Sequence, residues 1–290
     1  MPTKVEKDSV TGTETTGHEW DGIKELNTPL PKWWVYVFYA TIIWSIGYYF
    51  VYPAIPTLSG HTSGILDYTA RQDLRNRMAT VEAERAEWVD RLAATPVAEI
   101  PAREDLFEFA VAGGGAAFAV NCAPCHGSGA QGGPGYPNLA DDAWLWGGSL
   151  EEIYATIQHG IRWTQDEETR FSEMLAFGAD DILTSEQVDD VAEYVLSLSG
   201  NATDQDAAQR GEQVFVENCA ACHGENGEGM AALGAPRLND AIWLYGGDKA
   251  TIVETVTRGR RGVMPAWSNR LDDVTIKQLA VYVHSLGGGE

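Results

Sequence analysis

All four cysteines of the 290-residue chain stand in two short motifs, Cys122-Ala-Pro-Cys125-His126 and Cys219-Ala-Ala-Cys222-His223. Cysteines three apart lie on one face of a helix. Each thiol can add to a vinyl group of the same haem, and the adjacent histidine then sits below the ring and ligates the iron. Competing readings are a chance match, a zinc site and a redox-active pair. Zinc wants four ligands, and each copy offers three close together. A thioredoxin-like pair follows a strand, and a disulfide framework shows more cysteines in a shorter chain. Two copies inside a matching repeat weigh against all of these. The motifs point to two covalent haem c groups on Cys122, Cys125, Cys219 and Cys222, with His126 and His223 as axial iron ligands.

The sixth ligand is sought among five methionines. Met1 is the start, Met78 lies far upstream, and Met230 follows His223 too closely to swing across a ring. Met174 and Met264 remain, 48 and 41 residues after His126 and His223, in the comparable contexts Met174-Leu-Ala-Phe177 and Met264-Pro-Ala-Trp267. A lone Met is more often core filler, but matched positions favour thioether ligands. The default assigns each Met to the haem of its own repeat; the crossed arrangement, Met174 on the second haem and Met264 on the first, stays open. The prolyl carbonyls of Pro137 and Pro236, in the loops after each histidine, can accept the imidazole N–H and tune the iron. Leu139 and Leu238 would pack on the ring. Trp144, Trp146, Trp243 and Tyr245 are candidate pocket walls, and Arg162, Arg170 and Arg260 are candidate propionate partners. His159 aligns with Arg258, against a shared ligand role; His18, His61 and His284 read as surface or packing histidines.

These residues must be positioned by a tandem repeat. Asn121-Cys122 matches Asn218-Cys219 at an offset of 97, and Trp144–Gly148 matches Trp243–Gly247 at 99. Ala192–Leu198 matches Ala280–Leu286 at 88, so the first copy carries an insertion around Ile161–Arg170. Two copies read as tandem domains rather than a solenoid. The division is a polar tail (1–32), an anchor (33–55), a connector (56–104), domain one (105–200) and domain two (207–288). Asp67–Ala94 has helical periodicity. Ser149–Gly160 and Asp248–Gly259 read as short amphipathic helices ending at glycine. Thr184-Ser-Glu-Gln187 resembles a capping box, and Asp273 is the expected cap of the last helix. Little alternates like a strand, and the fold class is all-α.

Trp33–Tyr52 is uncharged and long enough to span a bilayer, with Trp33, Trp34, Tyr49 and Tyr52 placed as an aromatic belt. A cleaved signal peptide would be shorter and end in small residues; Tyr52-Pro-Ala-Ile-Pro56 is a poor cleavage site. Lys24 and Lys32 on one side against Arg71 on the other place the N-terminus in the cytoplasm. Haem attachment to C-x-x-C-H belongs outside the bacterial inner membrane, so the motif-bearing part is expected in the periplasm. The net charge is −22, of which −20 follows residue 52. Such a surface argues against nucleic acid and anionic headgroups and suits a cationic protein, although acidity also serves solubility.

The chain resembles the dihaem FixP (CcoP) subunit of cbb3-type cytochrome c oxidases. The resemblance rests on Trp20-Asp-Gly-Ile-Lys-Glu-Leu-Asn27, Pro29-Leu-Pro31 and Trp33-Trp34, and on His159-Gly-Ile-Arg162, Glu168-Thr-Arg170 and Val263-Met-Pro-Ala-Trp267. Leu175 departs from the family's usual proline after the ligand methionine. The resemblance implies one transmembrane helix plus two tandem class I cytochrome c domains. It also implies a non-catalytic electron-transfer role. A cytochrome c or quinol-oxidising complex would supply electrons, which pass to a monohaem cytochrome c subunit and the catalytic haem–copper subunit. A free-standing anchored shuttle is the alternative; a dihaem peroxidase would need an open or displaceable ligand. No Ser-His-Asp order, phosphate loop or cleft-like carboxylate pair is present. Ten of the 20 residues in Trp33–Tyr52 are aromatic, more than tethering needs. Replacing this span by poly-Leu/Ala is expected to keep the protein membrane-bound and haem-loaded but to loosen the complex. Co-purification of the other subunits checks this, and full assembly and activity after the swap would contradict it.

Overall fold

The computed structural model describes residues 4–288, which form helices and two small hairpins. It divides into two units, Met1–Glu84 and Arg85–Glu290. Met1, set aside above, lies outside the described residues.

In the first unit, Thr15–Trp20 (β1) and Ile23–Leu26 (β2) pair antiparallel. The turn between them is Asp21-Gly22, both at positive φ (49° and 86°). Asp-Gly with two such residues is the preferred tight hairpin turn. The polar tail thus holds a strand pair that its residue pattern does not signal, because neither strand alternates apolar and polar. Helix α1 (Lys32–Val51) starts after Pro31 and stops short of Pro53. Its 20 residues rise about 30 Å. Its Thr and Ser hydroxyls are satisfied along its own backbone, Thr41 Oγ1 donating to Phe38 O and Ser45 Oγ to Thr41 O, as a lipid setting requires. Rings four apart stack, Trp34 on Phe38 at 5.4 Å and Tyr48 on Tyr52 at 4.6 Å. No side chain of α1 is buried. A two-residue pair follows, Pro56–Thr57 (β3) with Gly60–His61 (β4). Helix α2 (Ala70–Ala94) begins three residues later than Asp67, which takes positive φ (46°); Thr69 Oγ1 instead accepts from Gln72 N.

The second unit continues from α2 through a 3₁₀ turn, Val97–Ala102, into α3 (Glu104–Asn121), α4 (Ala123–His126), α5 (Leu150–His159) and α6 (Ser185–Leu198). Then come α7 (Gln205–Asn218), α8 (Ala220–His223), α9 (Lys249–Arg258) and α10 (Asp273–His284). Thr184 and Gln187 form the expected capping box, and Ser149 with Glu152 forms another. The cap of α10 is Asp272, not Asp273: Asp272 accepts from Thr275 N at 2.8 Å and also from its hydroxyl. Asp273 sits in the first turn, where it accepts the Tyr154 hydroxyl.

The last helix of each repeat packs on the other repeat. One core joins Leu106, Ala110 and Phe118 of α3 to Ile153 and Ile157 of α5 and to Ile276, Leu279 and Val283 of α10. The other joins Val188, Val191 and Val195 of α6 to Val214 and Phe215 of α7 and Ile252 and Val256 of α9. The stretches 105–200 and 207–288 are therefore units of sequence, and each apolar core draws on both. The cause is the connection from Ser199 to Asp204: a link that short makes α6 and α7 antiparallel neighbours. The terminal helix of the first repeat then lies on the second repeat, and α10 fills the matching groove on α3. Both crossings are close. Gly114 lies against the Gln278 carbonyl and Gly211 against the Asp190 carbonyl, where a Cβ would collide with backbone.

Glu193 fastens the link. It is fully buried and accepts from Thr203 N (2.8 Å), Thr203 Oγ1 (2.7 Å), Asp204 N (3.1 Å) and Lys249 Nζ (2.9 Å). Burial alone would raise its carboxyl, but these donors outweigh it and hold it at about 2. The folded value lies below the unfolded one. The stabilisation is therefore complete above pH 4.5 and is lost as pH falls toward 2. Glu193→Gln is expected to cost about 1–3 kcal/mol at neutral pH, with the gap to the native chain closing in acid. Urea titrations across pH measure this; a pH-independent gap contradicts it.

Candidate haem-binding site

The two motifs fold alike. Each is a single helical turn opened by its first cysteine. His126 N donates to Cys122 O (2.9 Å) and His223 N to Cys219 O (3.0 Å). Gly132 N returns to His126 O and Gly229 N to His223 O, closing the loops that follow. All four thiols are free; Cys125 and Cys222 are exposed, Cys122 and Cys219 half-buried. Burial, with the neighbouring thiol adding to it, pushes the Cys122 and Cys219 thiols up to about 11.

The prolyl carbonyls stand where the sequence puts them. His126 Nδ1 is 3.1 Å from Pro137 O and His223 Nδ1 is 2.9 Å from Pro236 O. A carbonyl only accepts, so Nδ1 carries the proton and Nε2 keeps its lone pair. Burial lowers both imidazoles, and the prolyl carbonyls offset it in part. The neutral ring favoured here is the form that binds a metal.

The methionines arrive crosswise. Met264 joins the core that contains Cys122 and Leu139, and Met174 the core that contains Cys219 and Leu238. Backbone pairing carries the exchange. Ile161 N donates to Met264 O (2.9 Å) and Met264 N to Ile161 O (3.1 Å). Arg260 N donates to Met174 O (3.1 Å) and Met174 N to Arg260 O (3.2 Å). Gly160 and Gly259, which end α5 and α9 at φ +68°, make room for this. A Cβ on either would strike the carbonyl of the opposing methionine. The pairing by repeat, the default above, is not the one the fold brings together.

One continuous cavity of about 760 Å³ is lined by both cysteine pairs, both histidines and both methionines. Trp146, Trp243, Tyr245, Arg162 and Arg260 also line it; Arg170 and Trp144 do not. Arg170 lies 5.8 Å over the Trp146 ring and donates to Trp146 O and Glu152 O. Trp144 donates its indole N–H to Gly288 O. Arg260 sits 4.1 Å over the Tyr245 ring. Arg162 ties the two methionine loops together, donating to Gly262 O and Ser172 O. His159 has a role the repeat could not signal: Asp166 (3.2 Å) and Glu168 (3.2 Å) of the insertion fold back onto its two nitrogens.

Three family profiles match the chain. The N-terminal domain of cytochrome oxidase-cbb3, FixP, covers residues 12–59; cytochrome c covers 111–199; and cytochrome c oxidase, cbb3-type, subunit III covers 206–283. The cbb3-type cytochrome c oxidase subunit CcoP of Azospirillum brasilense is 55% identical, over 98% of this chain and 99% of that protein. Subunit FixP of Bradyrhizobium diazoefficiens is 54% identical over the full length of both. The chain belongs to the CcoP/FixP family of cbb3-type cytochrome c oxidase subunits. As a member it is a membrane-anchored electron-transfer subunit carrying two covalent haem c groups. The residues fit that cofactor: free paired thiols, imidazoles with Nε2 unprotonated, and thioethers converge on one apolar cavity.

Proposed function

We propose that His126 and Met264 would hold the haem iron at the first motif and His223 and Met174 that at the second, with Pro137 and Pro236 holding the imidazoles. Bound haem c supplies an iron that takes up and releases one electron. The chain's part is to fix these side chains and exclude water. The single observation that carries this reading is the crossed backbone pairing of Met264 with Ile161 and Met174 with Arg260. A thioether available at each site favours a non-catalytic subunit over a peroxidase, which would need an open or displaceable ligand.

The proposed setting is the bacterial inner membrane, with a single span, the N-terminus in the cytoplasm and the haem units in the periplasm. Electrons come from a basic cytochrome c and go to the monohaem and haem–copper subunits of the same oxidase. Lys24 before α1 and Lys32 at its first position support the orientation, and the acidity after residue 52 supports a basic donor. Met174→Ala and Met264→Ala are each expected to remove one haem's share of the Met–iron charge-transfer band in the oxidised spectrum, and the double variant all of it. Full intensity in both single variants would contradict the ligand assignment.

A further inference from the structure

The two motif-bearing segments match in fold and differ in charge. Residues 109–140, which hold most of α3, all of α4 and the loop beyond, contain no Asp, Glu, Lys or Arg. The matched residues 206–237 contain five acids and two arginines. One arginine, Arg210, is engaged by Asp190 at 2.6 Å. The contrast is sharpest beside the cysteines. Val120, Ser128 and Gln131 of the first copy correspond to Glu217, Glu225 and Glu228 of the second, and all six are exposed. The outer faces of α3 and α7 are unpartnered in the unit. Ala112, Ala116 and Val120 are exposed on one, Glu212, Val216 and Glu217 on the other.

We propose that the outer face of α7 and α8 around Cys222 is the docking surface for a basic electron-donor protein, so that electrons enter at the second motif and pass toward the first. This rests on the electron-transfer reading above and adds the place and direction of entry. Charge complementarity selects this face. A transient partner gains on-rate and orientation from opposite charge, and the gain is local to the face that bears it. Exposed Val216 among Glu212, Glu217, Glu225 and Glu228 gives a small apolar centre with an acidic rim. The segment 109–140 around Cys125 carries no charge of its own to steer a partner. Depletion of charge suits instead the core of a lasting contact, as needed for passing electrons on within an assembled oxidase. The acidic residues Asp166 and Glu168 of the insertion do not compete, since His159 engages both.

The test uses the assembled, haem-loaded oxidase containing the full chain. Glu217→Lys/Glu225→Lys/Glu228→Lys is compared with Ala116→Lys/Val120→Lys, after haem content and subunit composition are shown to be unchanged. Stopped-flow reduction by a lysine-rich soluble cytochrome c is followed across an ionic-strength series. Oxygen uptake with ascorbate and the small reductant TMPD serves as the reference. The triple variant should lose about tenfold in second-order rate at low salt and much of its salt dependence, with TMPD-driven uptake retained. The α3 variant should keep the donor rate. Equal losses in both variants would mean that net charge alone acts, and no loss in the triple variant would place docking elsewhere; either overturns the proposal. Failure of the electron-transfer reading itself would appear separately, as haems that TMPD does not reduce in the unaltered complex.

Discussion

Everything at the cofactor site depends on two short backbone exchanges, Met264 with Ile161 and Met174 with Arg260. Each puts the thioether of one repeat into the core built around the cysteines of the other. Repeats joined by a long tether could each fold on themselves. Here the Ser199–Asp204 link is too short for that: α6 turns directly onto α7, and α10 is left to complete α3. Gly160 and Gly259 then decide whether the methionine segments can approach at all. The two sites share one cavity wall and cannot be assembled independently.

Around this exchange the polar groups are placed to favour the ligand forms. The prolyl carbonyls fix the tautomer of His126 and His223, and burial keeps both rings neutral. Glu193, closed off from solvent, holds the link and α9 together through four hydrogen bonds and so guards the geometry of the second site. At the matched position of α10 stands Val281, also buried, so the first site relies on apolar packing alone there. The sites are thus alike in ligands and unlike in what stiffens them.

Much of this was legible because it is local. The prolines of the loop after each motif histidine and the capping box at Thr184 are patterns within a few residues, and each forms the contact its pattern implies. The exchange of methionines was not legible, because the two repeats offer each Met nearly the same neighbours. What selects the partner is link length and two positive-φ glycines, whose effect is seen only once the helices pack. His159 is similar: it aligns with Arg258, so comparison of the repeats removed the clue, and its carboxylate partners lie in an insertion without a counterpart. The hairpin over Thr15–Leu26 was not read, since the only buried positions of its strands, Thr15 and Gly17, are not apolar side chains and leave no hydrophobic alternation.

The account's central claim is that each haem site borrows its methionine and a helix from the other repeat. The most direct measurement is the oxidised spectrum of a fragment spanning residues 85–203, exported and haem-loaded, alone and together with a fragment spanning 204–290. The account predicts that the first fragment alone attaches haem through Cys122 and Cys125 but shows no Met–iron band, although it contains Met174, and that the band appears when the second fragment is supplied. A full-strength, stable Met–iron band from the first fragment alone would show that Met174 serves its own repeat and would contradict the account.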